Sequence, residues 1–207
     1  SHRLRRQYAR LSAEDFHQAQ DHLTSVMVHD IFSPPLASRA YAYSNIAAYE
    51  ILAQEKGNNY GSLTHVLKDF KGVTPFKDSL VNPQLAALIA YMEVGKNLIF
   101  SVDRMSEYIN QLSVKWNAQN PKVYLSSHQY ALEVVAEIKG WYDQDNYKQT
   151  RTFPKFYVDY DSPSRWQPTP PDYMDGIEPH WSKLRPFCVE FFFSISTRTP
   201  PTVFNGI

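Results

Sequence analysis

The chain has 207 residues, of which 43% are apolar and 20% are charged, a balance typical of a globular protein rather than a disordered one. Basic and acidic residues both number 21, so no overall charge favours nucleic acid or an anionic membrane. Cys188 is the only cysteine, which excludes an internal disulfide and cysteine-based zinc sites. No apolar run approaches the roughly 20 residues of a membrane span, so we expect no transmembrane segment.

Hydrophobic periodicity predicts an all-α fold, a helical bundle followed by a long, ordered, irregular strap that is rich in proline and aromatic residues. Aromatic residues at this density are expected to lie against the protein, so the strap should pack over the helical core or form the wall of a site made by other parts of a larger protein. The five main helices are predicted near residues 13–30, 35–54, 84–99, 102–118 and 127–142. A shorter helical piece is expected between Leu63 and Gly72. The predicted domains are an N-terminal arm at 1–12, the bundle at 13–143, and the strap with a C-terminal tail at 144–207.

The boundaries of the later helices rest on caps and breakers. Asn82-Pro83 opens a helix that is apolar almost all round, which predicts that it is the most buried element of the bundle. Asn120-Pro121 is expected to stop the fourth helix. Ser126 or Ser127 is the predicted N-cap of the fifth.

The second predicted helix carries a lone arginine. Between Leu36 and Tyr49, small residues and tyrosines dominate, and Arg39 is the only charged residue. An unpaired charge in such apolar surroundings is very costly. Arg39 is therefore expected to be a buried anchor bonded to carbonyls or a carboxylate, or alternatively a ligand for an anion.

An incomplete metal motif follows the fifth helix. The run from Asp143 to Asn146 begins like a calcium loop, but Tyr147 and Lys148 stand where a ligand and a glycine belong. No calcium site is predicted there. The sequence also contains no Gly-rich phosphate loop and no nucleophile elbow.

Three short motifs in a fixed order carry a resemblance to a known family. Their residues are Arg39, Tyr43 and Glu50 in the second helix, Trp166, Pro168, Pro170, Pro171 and Tyr173 in the strap, and Trp181, Arg185 and Pro186 after them. Together they resemble the N-terminal part of the vanadium-dependent haloperoxidase-related proteins of the type 2 phosphatidic acid phosphatase superfamily. The resemblance is to exported, often lipid-anchored bacterial members, which implies an all-α fold and suggests the cell envelope.

The same resemblance sets limits on activity. In that family, vanadate or phosphate is held by a Lys or Arg, an Arg-Pro segment, a Ser-Gly-His motif and a later Arg and His. This chain has no Ser-Gly-His, and Arg185-Pro186 belongs to the strap motif. No catalytic, cofactor-binding or metal residue is therefore assigned, and vanadate or phosphate is expected only if a C-terminal half is present. The leading hypothesis is an N-terminal helical domain, or a truncated relic, without activity of its own.

Two other functions stay open. One is a helical binding module that holds a partner or a small ligand under the segment from Trp166 to Trp181. The other is an enzyme that uses His and Asp side chains in an unfamiliar arrangement. The expected partners are the missing C-terminal half or a second copy, with Phe191 to Phe193 contributing to self-association.

Residues 191–199 depart from the family pattern. Codons can be chosen for this stretch that, read one base out of register, give the family-like text Ser-Ser-Ser-Gln-Phe-Pro-Pro-Ala. A frame slip with its reversal is the hypothesis for this segment, and a related lesion is the hypothesis for the end at Ile207. Resequencing the gene tests both.

Overall fold

The structure, a computed structural model, describes residues 11–55, 57, 59–162 and 164–188, and every regular element in that part of the chain is helical. This confirms the predicted all-α class with its five main helices. The α-helices are α1 (Ala13–His29), α2 (Pro34–Leu52), α3 (Pro83–Lys96), α4 (Val102–Gln119), α5 (Pro121–Tyr142) and the single-turn α6 (Tyr147–Thr150).

Helix α3 is the centre of the bundle, as its all-round apolar sequence predicts. It packs against α1, α2, α4 and α5, and twelve of its fourteen residues are buried. Near the end of α3, Gly95 lets both α1 and α2 pack closely against α3. A Cβ at this position would lie 2.9 Å from the Leu23 Cδ2 and 3.3 Å from the Ser44 Oγ. The start of α3 is fixed by Asn82, whose side chain accepts a hydrogen bond from the Leu85 N–H at 3.0 Å.

The predicted start of α5 is wrong. The helix begins at Pro121 rather than at Ser126 or Ser127, and the Asn120 side chain accepts a hydrogen bond from the Val123 N–H at 3.3 Å. Asn120 ends α4 and caps α5 at the same time. The pair Asn120-Pro121 therefore does stop one helix, but a proline is also well suited to the first turn of the next.

The predicted helical piece between Leu63 and Gly72 is shorter than expected. Only a 3₁₀ turn at Leu63–His65 forms there. The turn is held by the carboxylate of Glu50, which is buried at 2% exposure and accepts hydrogen bonds from the Ser62 hydroxyl at 2.8 Å and the Leu63 N–H at 2.7 Å. Glu50 thus ties the loop after α2 to the helix itself.

Residues 153–162 and 164–177 belong to a long irregular loop, which we call the arch (153–177). Its two ends meet, since the Arg151 guanidinium pairs with the Glu178 carboxylate and the His180 imidazole contacts the Pro154 carbonyl oxygen at 2.8 Å. The sequence led us to expect the strap aromatics to pack on the bundle. For the arch this is wrong, because Trp166 is 48% exposed and Tyr173 is 60% exposed.

Some predicted features involve residues that the structure does not describe. Phe191 to Phe193 and the stretch 191–199 lie outside the described residues, as does most of the N-terminal arm. None of the helices that the structure describes is long and apolar enough to cross a bilayer.

Candidate functional site

The candidate site is centred on an ion pair between two parts of the chain that are 106 residues apart. Arg39 lies in the second turn of α2, and its Nε donates to the Asp145 Oδ2 at 2.7 Å. The side chains of Arg39 and Asp145 are only 8% and 3% exposed. The prediction that Arg39 is a buried anchor bonded to a carboxylate is confirmed. The ion pair joins the start of α2 to the turn that follows α5.

Asp145 binds four groups rather than one. Its Oδ2 also accepts from the Tyr43 hydroxyl at 2.9 Å, and its Oδ1 accepts from the Tyr147 N–H at 2.9 Å. Its backbone carbonyl oxygen accepts from the Arg185 N–H at 2.9 Å. The carboxylate itself has three donors, so it is well satisfied in its buried position. The residue that looked like part of an incomplete calcium loop is the junction of the site.

Tyrosine rings surround the Arg39 guanidinium. Its Cζ lies 4.5 Å from the ring centre of Tyr147, 5.2 Å from that of Tyr43 and 5.5 Å from that of Tyr142. These distances are within the range of cation–π attraction, which strengthens when water is excluded. The charge of Arg39 is therefore held by one carboxylate and three aromatic rings.

Burial also affects the tyrosine hydroxyls. It raises the pKa of Tyr142 to about 12, with the nearby Asp143 adding to the effect and Arg39 opposing it. Burial raises the pKa of Tyr43 as well, and the carboxylate of Asp145 acts in the same direction. Both groups are neutral when the bundle is folded at neutral pH.

Raising the pH above about 10 is expected to destabilise the protein. Since the folded-state pKa of Tyr142 lies above its ordinary value of 10.0, its contribution to stability is complete below pH 10 and is lost as the pH rises through about 12. Urea unfolding at several pH values measures this loss. The Tyr142→Phe variant, which cannot ionise, should lose less stability over that range, whereas Tyr157→Phe at an 81% exposed position should behave like the wild type. Equal losses in all three proteins would contradict the assignment.

A second arginine reaches the same place from the end of the strap. The Arg185 guanidinium lies 4.5 Å from the Trp141 ring centre, and its Nη2 is 3.5 Å from the Tyr43 hydroxyl. The ring of Phe187 packs on the ring of Tyr43 with their centres 5.3 Å apart. The backbone carbonyl oxygen of Phe187 accepts a hydrogen bond from the Lys68 N–H at 2.7 Å. The Arg-Pro-Phe segment is therefore docked on the bundle beside Arg39.

The structure brings together some motif residues and leaves others apart. Arg39, Tyr43 and Arg185 meet at one site, and Trp181 lies nearby in a 3₁₀ turn whose Lys183 carbonyl oxygen accepts from the Asn146 side chain at 2.9 Å. Glu50 lies in another part of α2, at the 63–65 turn. Pro186 follows Arg185 in the docked segment. The other motif residues belong to the arch: Trp166, Pro168, Pro170, Pro171 and Tyr173.

Sequence reasoning missed Asp145 as the partner of Arg39. The burial of a lone arginine shows that a carboxylate is needed, but the chain has 21 acidic residues and the pairing is not local. The available signal was the position of Asp145 three residues past the end of α5 and two residues before Tyr147. That pattern indicates a turn capped by Asp145, but it does not identify the helix that the Asp145 side chain contacts.

Arg39 is not free to bind a compact, multiply charged anion such as vanadate. Such an anion needs several converging donors that are not already engaged. Asp145 neutralises Arg39, and Trp141 lies against Arg185. Nor do the described residues contain a group of three or more His, Cys, Asp or Glu side chains placed to hold a metal ion. The contacts of the cluster fix α2, the turn after α5 and the end of the strap relative to one another.

The fold and the site define a class: an all-α domain in which a buried arginine ties the second helix to an anchored Arg-Pro-Phe segment. No protein-family model matches the chain, and no curated protein matches it. Among solved structures, it is similar to the crystal structure described as that of the first bacterial vanadium-dependent iodoperoxidase, with a TM-score of 0.82 and 47% sequence identity. The match covers 88% of this chain and 45% of that one, so this chain spans just under half of its length.

This similarity confirms the resemblance to vanadium-dependent haloperoxidase-related proteins. At 47% identity over most of the chain, the likeness extends beyond the fold to the sequence that builds it. It is a likeness to part of a longer protein. Iodide oxidation and vanadium dependence are described for that protein and not for this chain.

Proposed function

We propose that this chain is the N-terminal helical domain, or a truncated relic, of a bacterial vanadium haloperoxidase-like protein of the acid phosphatase superfamily, and that it has no peroxidase or phosphatase activity alone. The observation that carries the proposal is the match of most of this chain to 45% of an iodoperoxidase. A related protein with more than twice the matched length has room for a separate part that binds the anion.

The chemistry of the residues supports inactivity. The sequence contains no Ser-Gly-His motif, and its one Arg-Pro pair, Arg185-Pro186, packs on Trp141. Arg39 and Arg185 both contact Tyr43, and Arg39 is already paired with Asp145. This arrangement favours a scaffold that positions other groups over one that reacts.

The proposed role of the scaffold is to hold α2, α5 and the end of the strap in one fixed arrangement. The four bonds of Asp145 join these three elements, and Phe187 covers the junction. In a longer protein, such a domain would present a rigid surface to the part that binds vanadate or phosphate. The expected partner is therefore that remaining part.

The purified chain is expected to show no iodide oxidation with vanadate and hydrogen peroxide, and no hydrolysis of a phosphate monoester, above background. Millimolar vanadate should leave its melting temperature unchanged, because a ligand that does not bind the native state cannot stabilise it. The similar iodoperoxidase, assayed in parallel, is the positive control. A rise in melting temperature with vanadate that disappears in Arg185→Gln would overturn the proposal.

The arch supports a second candidate function, a binding module. Trp166, Pro170 and Met174 line an open cleft of about 630 Å³ on its surface. The cleft lies away from the Arg39 cluster and is lined by residues of the arch and by Pro179. A scaffold domain and a docking module are compatible roles, because a scaffold must present a surface to the part that it supports.

A further inference from the structure

Exposed apolar side chains are concentrated in the arch. Eight of the seventeen large hydrophobic residues that are exposed in the described part of the chain lie within residues 153–177. Met174 is 65% exposed and Ile177 is 55% exposed, next to the half-exposed Trp166. Four of the eight line one cleft: Phe156, Trp166, Met174 and Ile177. Exposed apolar residues grouped in this way usually mark an interaction surface.

The arch presents this surface in a defined shape. The ion pair between Arg151 and Glu178 closes its base. The Trp166 ring packs edge to face on Phe156 with ring centres 6.1 Å apart, and a Cβ on Gly176 would lie 3.5 Å from it. The cleft is thus formed around a tryptophan that is held on two sides. A partner would meet a preformed surface and would not need to order it, which favours binding.

The charges of the cleft restrict the partner. Asp172 and Asp175 line it, and no basic side chain is among its described lining residues. Asp175 has one weak contact, to the exposed Lys155 at 3.7 Å. A symmetric contact between two copies through this cleft would bring two pairs of carboxylates together, and like charges brought together disfavour association. A partner with apolar side chains beside a Lys or Arg is complementary.

We infer that the cleft of the arch is the docking surface for the remaining part of a haloperoxidase-like protein, which contributes apolar side chains flanked by a basic residue. This inference rests on the proposed function. The similar iodoperoxidase has more than half of its chain outside the match, so a partner of sufficient size exists in that protein. Apolar exposure and a preformed cleft coincide at the arch.

The test is a chimera, the full-length iodoperoxidase in which the matched part is replaced by this chain. The chimera should melt in one cooperative transition and oxidise iodide in the presence of vanadate and hydrogen peroxide. Met174→Glu and Asp175→Lys should each lower its melting temperature by several degrees. In the isolated chain, both substitutions should leave the melting temperature unchanged, because both side chains are mostly exposed there. Val114→Glu, at a 72% exposed position on α4, is the matched control and should change neither protein.

The possible outcomes separate the two proposals. An active chimera whose melting temperature is insensitive to Met174→Glu overturns the docking surface and leaves the proposed function in place. A chimera that neither folds cooperatively nor oxidises iodide overturns the docking surface, and the proposed function is then decided by the vanadate and activity assays of the isolated chain. The third outcome is measured by light scattering on the isolated chain. If the chain forms a dimer and Met174→Glu converts it to a monomer, the cleft binds a second copy and the inference is overturned.

Discussion

Replacing Arg39 with leucine is expected to lower the free energy of unfolding by about 3–5 kcal/mol, because removal of one partner leaves the other as an uncompensated buried charge. The stranded group is the Asp145 carboxylate, which is only 3% exposed. It keeps its hydrogen bonds from Tyr43 and the Tyr147 N–H, so the loss should fall toward the lower end of that range. Urea unfolding followed by circular dichroism measures it.

Two further variants show whether the effect comes from the buried charge. Arg165→Leu removes an arginine that is 69% exposed and lies 3.8 Å from Asp159, and it should change stability by no more than about 0.5 kcal/mol. Adding Asp145→Asn to Arg39→Leu removes the stranded charge and should recover part of the loss. If Arg39→Leu unfolds at the same urea concentration as the wild type, the anchor role is excluded.

The helices could be predicted because their signal is repeated many times. Each of the five main helices is 14 to 22 residues long, so one misleading residue does not hide the periodicity. The burial of α3 follows from its composition alone, because a helix that is apolar on all sides has no face to turn to water. The errors lie at the helix boundaries, where a single residue determines the predicted start or end of a helix. At Asn120 the same signal both ends a helix and begins one.

The Arg39 cluster could be predicted only in part. The need for a buried partner follows from the sequence, since the charge of Arg39 has to be compensated. The identity of that partner depends on how α5 returns to α2, which is a property of the tertiary fold. Asp145 is 106 residues from Arg39, and local patterns carry no information on such a pairing. The docking of Arg185 beside them is equally non-local.

The arch shows a different limit. Its aromatic and proline content predicts an ordered segment that packs on the bundle. In the structure the arch packs mainly on itself, with Trp166 against Phe156 and its base closed by Arg151 and Glu178. Apolar residues in a sequence predict that a surface is buried, but they do not identify the segment or the protein that buries it. For this segment the cover that we propose lies outside the chain.

Adding a methyl group at Gly95 is expected to destabilise the bundle, whereas the same change at Gly140 should stabilise it. A Cβ at Gly95 would lie 2.9 and 3.0 Å from the two Cδ atoms of Leu23, which is fully buried and so has little room to move. Overpacking of this kind costs about 1–3 kcal/mol. At Gly140, on the exposed side of α5, a Cβ meets nothing within 4 Å. Alanine there should add about 0.5–1 kcal/mol, because it restricts the unfolded chain more than glycine does.

The two glycines make a matched pair, since both lie within the last turns of long helices and both receive the same substitution. Both substitutions gain the same helix propensity. If Gly95→Ala lowers the stability and Gly140→Ala raises it, the difference comes from the contact between α3 and Leu23. Thermal unfolding of Gly95→Ala and Gly140→Ala beside the wild type measures it. The Leu23→Ala change, made together with Gly95→Ala, should make the added methyl group less harmful, because the crowded Cδ atoms are gone. If both single variants are stabilised equally, the close approach of α1 to α3 at Gly95 does not constrain the packing.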